Sequence, residues 1–236
     1  MKVAFITGSS QGLGKAIAQH FAQKNFAVVL HYYTNEKKAK DFEQELLAKD
    51  VKVLCLQGNL ENPEEVRNIF FKIQNTFGRL DLLVNNVGNF LRKDLLELTL
   101  ENWQSIIKNN VDSVFLTTQL AIPLMRKNHF GRIINIGFAG ISQMTIETDI
   151  TAYFVAKNNV YYLTKAFAKA LAGENINVHI VSPGVLENSI EQPIHEIPKK
   201  RLAIFEEMIS AIDFLTSEKS DYLTGQHIEV SGGWRL

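Results

Sequence analysis

The sequence has little cysteine. Cys55 is the only one in 236 residues, so no internal disulfide forms. It also lacks net charge. Lys plus Arg and Asp plus Glu both number 25, and a nucleic-acid-coating surface needs a basic excess. No apolar run approaches the roughly 20 residues that cross a bilayer. Met1–Ile6 is too short for the apolar core of a secretion signal, and Gly8–Gly14 interrupts it. Prolines number five, and no Pro/Ser-rich linker, low-complexity tract or internal repeat divides the chain. These absences argue against a disulfide scaffold, a nucleic-acid-binding protein and a membrane protein. The expectation is one cytoplasmic domain, 1–236, with neither nucleic acid nor membrane as partner. Cys55 lies in the apolar run Val51–Leu56 and is expected in a buried strand.

What the sequence does contain is alternation. Short apolar runs read as strands at Val3–Ile6, Ala27–His31, Val51–Leu56, Leu80–Val84, Arg132–Ile136, Asn177–Val181 and His227–Val230. Between them, helical periodicity covers Gly12–Lys24, Glu36–Lys49, Pro63–Phe77, Thr99–Lys127, Ala152–Leu171 and Ile204–Leu215. Nearly continuous apolar strands suit a sheet with helices on both faces. The pattern predicts an α/β fold, a Rossmann-type doubly wound parallel sheet of seven strands. A β/α barrel needs eight strand–helix units, one more than the sequence offers.

The first strand runs into Thr7-Gly8-Ser9-Ser10-Gln11-Gly12-Leu13-Gly14, and a helix follows. Glycines let a backbone turn sharply and approach a pyrophosphate, and a helix N-terminus supplies free N–H groups. The spacing is G-x3-G-x-G. An acidic residue about 20 positions on would hold the ribose 2′-hydroxyl of NAD. None exists: the first carboxylate is Glu36, beyond the second strand. His31, Lys37 and Lys38 could instead attract a 2′-phosphate, so NADP(H) is favoured over NAD(H).

Further motifs follow in order. They are Asn85-Asn86-Val87-Gly88 after the fourth strand, Asn110 in the long helix, Tyr153-x3-Lys157, Pro183-Gly184, Thr224-Gly225-Gln226 and Gly232-Gly233. Together with the glycine loop, the series resembles the short-chain dehydrogenase/reductase family across nearly the whole chain. Its closest general likeness is to 3-oxoacyl-acyl-carrier-protein reductases, with a fainter likeness to pteridine reductases at His31-Tyr32-Tyr33. The resemblance implies Tyr153, Lys157 and Asn110 as catalytic residues. It implies cofactor contacts from Gly8, Ser10, Gln11, Gly12, Leu13, Gly14, His31, Tyr32, Asn59, Leu60, Asn86, Val87, Gly88, Tyr153, Lys157, Pro183, Gly184 and Val185. It also implies a homo-oligomer, tetramer or dimer, packed through the two long helices Thr99–Lys127 and Ala152–Leu171.

The chemistry of the pair is independent of the resemblance. Reducing a carbonyl with hydride leaves an alkoxide that needs a proton. A phenol supplies one, and a neighbouring ammonium is expected to lower its pKa. Positions i and i+4 share a helix face, which sets Tyr153 beside Lys157. The same spacing recurs at Tyr161 and Lys165. Ligands sit at the carboxyl ends of parallel strands, and Tyr161 lies eight residues, about 12 Å, further from that edge. Tyr161 is therefore read as helix packing. No histidine spacing suits a metal.

The sequence departs from the family at Phe138. The family has a serine there that donates to the substrate carbonyl, and losing one such donor typically costs about 100- to 1000-fold in rate. The candidates for a displaced hydroxyl are Ser142, Thr145 and Thr151, Ser142 first. Asn59 replaces an aspartate and Asn188 a threonine. The lid, Val185–Glu196, is short, and Pro193 and Pro198 favour a loop there. The expected function is a carbonyl–alcohol oxidoreductase acting on a small molecule or acyl thioester. The alternatives are a pteridine or other small-carbonyl reductase, and a catalytically weak dinucleotide sensor or partner subunit.

Overall fold

A computed structural model describes residues 1–143 and 146–235. Seven parallel strands form one sheet: β1 Val3–Ile6, β2 Ala27–Tyr32, β3 Val53–Gln57, β4 Leu82–Asn85, β5 Gly131–Ile136, β6 Ile176–Pro183 and β7 His227–Val230. Their order is β3-β2-β1-β4-β5-β6-β7. The chain therefore builds outward from β1 to β3, crosses back, and builds outward again from β4. β1 pairs with β2 on one side and β4 on the other, with Ile6 opposite Leu30 and Val84. This reversal opens a crevice at the carboxyl ends of β1 and β4, where doubly wound sheets bind ligands.

Among the described residues there are seven α-helices, α1 Gly12–Gln23, α2 Glu36–Leu47, α3 Pro63–Phe77, α4 Leu100–Ile107, α5 Ser113–Lys127, α6 Thr151–Leu171 and α7 Phe205–Thr216, and all but α4, which packs on α6, lie against the sheet. Ile17 and Phe21 of α1, Phe42 of α2 and Met208 and Ile212 of α7 pack on one face with Ile6 and Leu30. Ile69 and Ile73 of α3, Met125 of α5 and Ala168 and Leu171 of α6 pack on the other with Phe5, Val29 and Ile133. The ends of α3 follow from local chemistry. Asn62 Oδ1 accepts the Glu64 N–H at 3.0 Å, Pro63 opens the first turn, and Gly78 closes the helix at a left-handed φ of 67°.

Two readings of the sequence need correction. The predicted helix Thr99–Lys127 is interrupted at Lys108–Asp112 by a wide π turn, a feature that commonly marks functional sites. Cys55 is half-buried rather than buried, because β3 is a sheet edge with one flank uncovered. Burial lifts its thiol pKa to about 11, which suits an inert residue.

Candidate functional site

The glycine loop leaves the carboxyl end of β1 and is fixed from two sides. From β4, the backbone N–H groups of Asn86 and Val87 both donate to Thr7 Oγ1, at 2.9 and 3.0 Å. Asn86 Nδ2 donates to the carbonyls of Thr7 and Gly8, at 3.0 and 3.2 Å. From β2, the His31 N–H donates to Ser9 Oγ at 2.9 Å. Gly14 has no room for a side chain: a Cβ there would lie 2.3 Å from Gly8 O and 2.7 Å from Asn86 Nδ2. The start of α1 is thus held hard against the loop.

A cleft of about 140 Å³ opens beside this loop. Gly8 lies in its wall, and Ser10, His31, Tyr32, Asn59, Leu60 and Val87 line it, all residues singled out from the sequence. The structure adds Tyr33, Thr34 and Asn35 at the end of β2. Lys38 reaches the glycine loop, its Nζ donating to Gln11 Oε1 at 2.7 Å. No carboxylate lines the cleft.

His31 requires a correction. Its ring is buried and clamped, with Nδ1 accepting the Gly8 N–H at 3.1 Å and Nε2 donating to Gly58 O at 3.0 Å. Burial lowers its pKa to about 4, against a smaller upward pull from the Gly58 bond. It is a neutral brace for the loop, not a cation for a 2′-phosphate. Lys38 is the basic side chain that lies against the loop. Asn59 Oδ1 accepts the Glu61 N–H at 3.0 Å, so its amide partly serves its own turn.

The second half of the site lies past β4 and β5. Lys157, on α6, is 4% exposed, and its Nζ donates to the Ile136 carbonyl at 2.9 Å. Tyr153 lies one turn earlier, its ring centre 5.5 Å from that Nζ. Asn110 sits in the π turn. Its Nδ2 donates to Asn89 O and Asn89 Oδ1 at 3.0 Å and to Ile106 O at 3.1 Å. Its Oδ1 is buried without a partner among the described residues. Gly88 brings these groups together: a Cβ there would lie 2.5 Å from Asn110 Oδ1 and 3.1 Å from Lys157 Nζ. The bare Gly88 therefore lets the Asn110 carbonyl and the Lys157 ammonium close in on the backbone, where any side chain would collide with them.

Burial lowers the Lys157 pKa to about 8 and raises that of the Tyr153 phenol. The expected lowering of the tyrosine pKa by its lysine is not found, because burial outweighs a charge 5.5 Å from the ring centre. At neutral pH the pair is a protonated phenol beside an ammonium, poised to donate.

Phe138 stands at the exit of β5 with its ring edge-on to Tyr153, centroids 5.2 Å apart. Phe90 approaches Tyr153 in the same way at 5.0 Å, and Trp234 lies 5.8 Å from Phe138. The expected replacement hydroxyl does not join this cluster. Ser142 is exposed, and its Oγ bonds Gln143 Oε1 at 2.9 Å and Glu229 Oε1 at 3.4 Å. Thr151 Oγ1 donates to the Glu147 and Thr148 carbonyls, and Thr145 lies outside the described residues. Tyr161 packs against the His227 ring at 5.3 Å, as its reading as helix packing expects.

Pro183, Gly184 and Val185 turn the chain out of β6, and the Gly184 N–H donates to Val230 O at 3.0 Å. Asn188 Nδ2 lies near Gly12, 3.1 Å from where a Cβ would stand. The lid is a loop with one short turn at Ile194–Glu196. Two features escaped the sequence reading. The first is a buried polar chain beneath the site: Thr117 Oγ1 to Asn85 Oδ1 at 2.8 Å, Asn85 Nδ2 to Asn135 Oδ1 at 2.9 Å, and Asn135 Nδ2 to Thr164 Oγ1 at 2.9 Å. It ties α5, β4, β5 and α6 together. The second is the C-terminal pair. Trp234 Nε1 donates to Glu196 Oε2 at 3.3 Å, and Arg235 Nη2 donates to Glu147 Oε2 at 2.7 Å. No signal beyond proximity to the Gly-Gly motif marks these two in the sequence.

The residues present fit a dinucleotide on two observations: the close-packed loop at Gly14 and the unpartnered buried Asn110 Oδ1 beside Gly88. No metal-binding group of three or more His, Cys, Asp or Glu occurs among the described residues. No described helix is long and apolar enough to cross a membrane.

Comparison with known proteins agrees with this fold. Residues 8–235 match the family model described as enoyl-(acyl carrier protein) reductase. The chain is 32% identical over 241 residues to the 3-oxoacyl-acyl-carrier-protein reductase FabG of Staphylococcus aureus, covering 98% of this chain and 97% of the relative. It is 36% identical over 239 residues to the 3-oxoacyl-acyl-carrier-protein reductase of Synechocystis, covering 98% and 96%. Among solved structures it superposes on YwfH, an NADPH-dependent reductase involved in bacilysin biosynthesis. The TM-score is 0.91 at 28% identity, covering 100% of this chain and 98% of that one.

Proposed function

The chain belongs to the short-chain dehydrogenase/reductase family, and from that premise we propose that it is an NADPH-favouring reductase converting a carbonyl to an alcohol, with Tyr153 as the proton donor. The observation that carries the reading is the meeting of Asn110 and Lys157 at Gly88, with Tyr153 beside Lys157, at the carboxyl end of the sheet where the glycine loop also lies. A bound nicotinamide supplies the hydride. Gly8, Gly12 and Gly14 with the start of α1 would hold its pyrophosphate. Ser10, Tyr32, Asn59, Leu60 and Val87 would hold the adenosine half, and Asn86, Gly88, Pro183, Gly184 and Val185 the nicotinamide half.

The protein's own part is proton supply. Tyr153 is a protonated phenol because burial holds its pKa up. Lys157 keeps an ammonium near it, oriented by the Ile136 carbonyl. Asn110 Oδ1, buried and without a partner among the described residues, is the acceptor that would orient a proton relay back to the pair. The preference for NADPH rests on the lack of an acid in the β2 cleft and on Lys38 at its rim. YwfH is described as using NADPH, which supports the same preference.

The curated relatives reduce 3-oxoacyl thioesters by name, so that class is tested first, with pterins and simple ketones beside it. The reading includes a homo-oligomer, tetramer or dimer, packed through α4 to α6. Phe115 and Tyr162 are 40% and 73% exposed there. Sedimentation as a monomer would remove that part. The main test is titration with NADPH and NADH, followed by turnover with Tyr153→Phe as control. Tighter NADPH binding and a loss of kcat of about 100-fold or more in the variant are expected. Binding of neither cofactor would sink the reading.

A further inference from the structure

The tip of the lid, 190–193, has little to pack on. Ile190, Glu191 and Gln192 are all exposed. The Gln192 amide donates only to lid carbonyls, Glu187 O at 3.4 Å and Ser189 O at 3.1 Å. Among the described residues, the one group that hydrogen-bonds to this tip from outside the lid is the guanidinium of Arg92, between β4 and α4. Its Nε donates to Glu191 Oε1 at 2.9 Å and its Nη2 to Glu191 Oε2 at 2.8 Å. Two parallel N–H groups on one carboxylate fix direction as well as distance.

The same guanidinium holds a second loop. Its Nη1 pairs with Asp149 Oδ2. The backbone beside it is joined too: the Lys93 N–H donates to Asp149 O at 2.6 Å and the Leu95 N–H to Thr148 O at 2.9 Å. Asp149 stands two residues before α6, and Tyr153 is the third residue of that helix. Helix starts are usually pinned by a side chain that accepts from their free N–H groups. Here the capping position is Ile150, and no side-chain bond caps the helix. The first turn of α6, which carries Tyr153, therefore takes its position from the loop before it. Arg92 holds that loop and grips the lid. The Arg92, Asp149 and Glu191 side chains are 41, 42 and 56% exposed. Exposed ion pairs add little to stability and weaken in salt, so this contact can open without unfolding anything.

Resting on the reductase reading above for its catalytic half, we propose that Arg92 is a positioning residue: an ionic clasp that shuts the lid tip against the loop from which the Tyr153 helix starts. With Glu191 engaged, the lid and the first turn of α6 are registered to each other through one planar guanidinium. With Glu191 released, the tip lifts for exchange of ligands while Asp149 stays paired. Lysine replaces this only in part, because a single ammonium does not present the fork that holds Glu191 while also reaching Asp149.

The test begins with lid motion, which needs no turnover. Ile190→Cys in the full chain is labelled with a thiol-reactive fluorophore; Cys55, half-buried with its thiol pKa held up at about 11, stays unlabelled. Label anisotropy is expected to fall when Arg92→Gln or Glu191→Gln is added, to the value the parent reaches in about 1 M salt. An anisotropy that neither change moves overturns the clasp. Urea midpoints of both variants are expected to stay near the native one; a loss as large as that of a core substitution makes Arg92 structural and overturns the proposal. If Arg92→Gln does not fold, Glu191→Gln decides. Kinetics test the second half, with saturating NADPH and the best carbonyl substrate. Arg92→Gln is expected to lower kcat by about tenfold or more and to raise the substrate KM, and Arg92→Lys to recover part of the kcat. The double variant with Glu191→Gln should be no worse than Arg92→Gln alone. An unchanged kcat in Arg92→Gln overturns the link to Tyr153. If the native protein binds neither cofactor, the reductase reading fails and the link falls with it, while anisotropy still decides the clasp.

Discussion

Replacing His31 by glutamine turns the clamp on the glycine loop into a pH experiment. The imidazole is buried, neutral and bonded at both nitrogens, and its pKa falls from 6.5 to about 4 on folding. The unfolded chain therefore binds a proton between those values that the folded chain refuses, and stability declines as pH drops from about 6.5 towards about 4. For this one group the loss between pH 7 and pH 5 is about 1.8 kcal/mol, at about 1.4 kcal/mol per pKa unit. Glutamine spans similar atoms without titrating. At pH 7 the variant is expected to be less stable by about 1 kcal/mol, since an amide replaces the two bonds imperfectly. By pH 5 the native protein should have lost its advantage, its stability falling about 2 kcal/mol further than the variant's. Urea unfolding at pH 7, 6 and 5 measures both. Parallel pH dependences would refute the neutral clamp and return His31 to the role of a loop cation.

Gly14→Ala forces a methyl to within 2.3 Å of Gly8 O. We expect a loss of about 1–3 kcal/mol in stability and weaker NADPH binding by fluorescence titration; unchanged affinity would remove the close approach from the binding argument. Lys157 has a pKa of about 8 because of burial, and its protonated form serves the proton supply. The kcat/KM of reduction should therefore hold below that pH and fall as pH rises through about 8, and a flat profile to pH 10 would contradict this. Asn135→Ala leaves Thr164 Oγ1 and Asn85 Nδ2 short of a partner. Urea unfolding should show a loss of about 2–3 kcal/mol; a loss under about 0.5 kcal/mol would show the chain to be incidental.

The sheet was legible because every strand is an apolar run with turn residues at its ends. The edges were less so: a run such as Val51–Leu56 looks the same whether one face or two are covered, and β3 proved to be an edge. The π turn at Lys108–Asp112 left no trace, since neither glycine nor proline marks it. Tyr153, Lys157 and Asn110 were found by motif and order, but their convergence needed Gly88, whose importance is a missing atom. His31 was misread because a histidine beside a phosphate site suggests charge, and only burial reveals neutrality. The Asn85–Asn135–Thr164 chain joins residues 29 and 50 positions apart, beyond the reach of local patterns.

That buried chain divides the protein into parts with different freedom to change. Asn85, Thr117, Asn135 and Thr164 secure the strands and helices that carry Tyr153 and Lys157, and none of them lies in the loops that meet solvent at the crevice. Phe90, Phe138 and Trp234 belong to those outer segments. Substitutions there can remodel what the crevice accepts while Tyr153, the proposed proton donor, stays registered on α6. A lineage built this way drifts in appetite more readily than in chemistry.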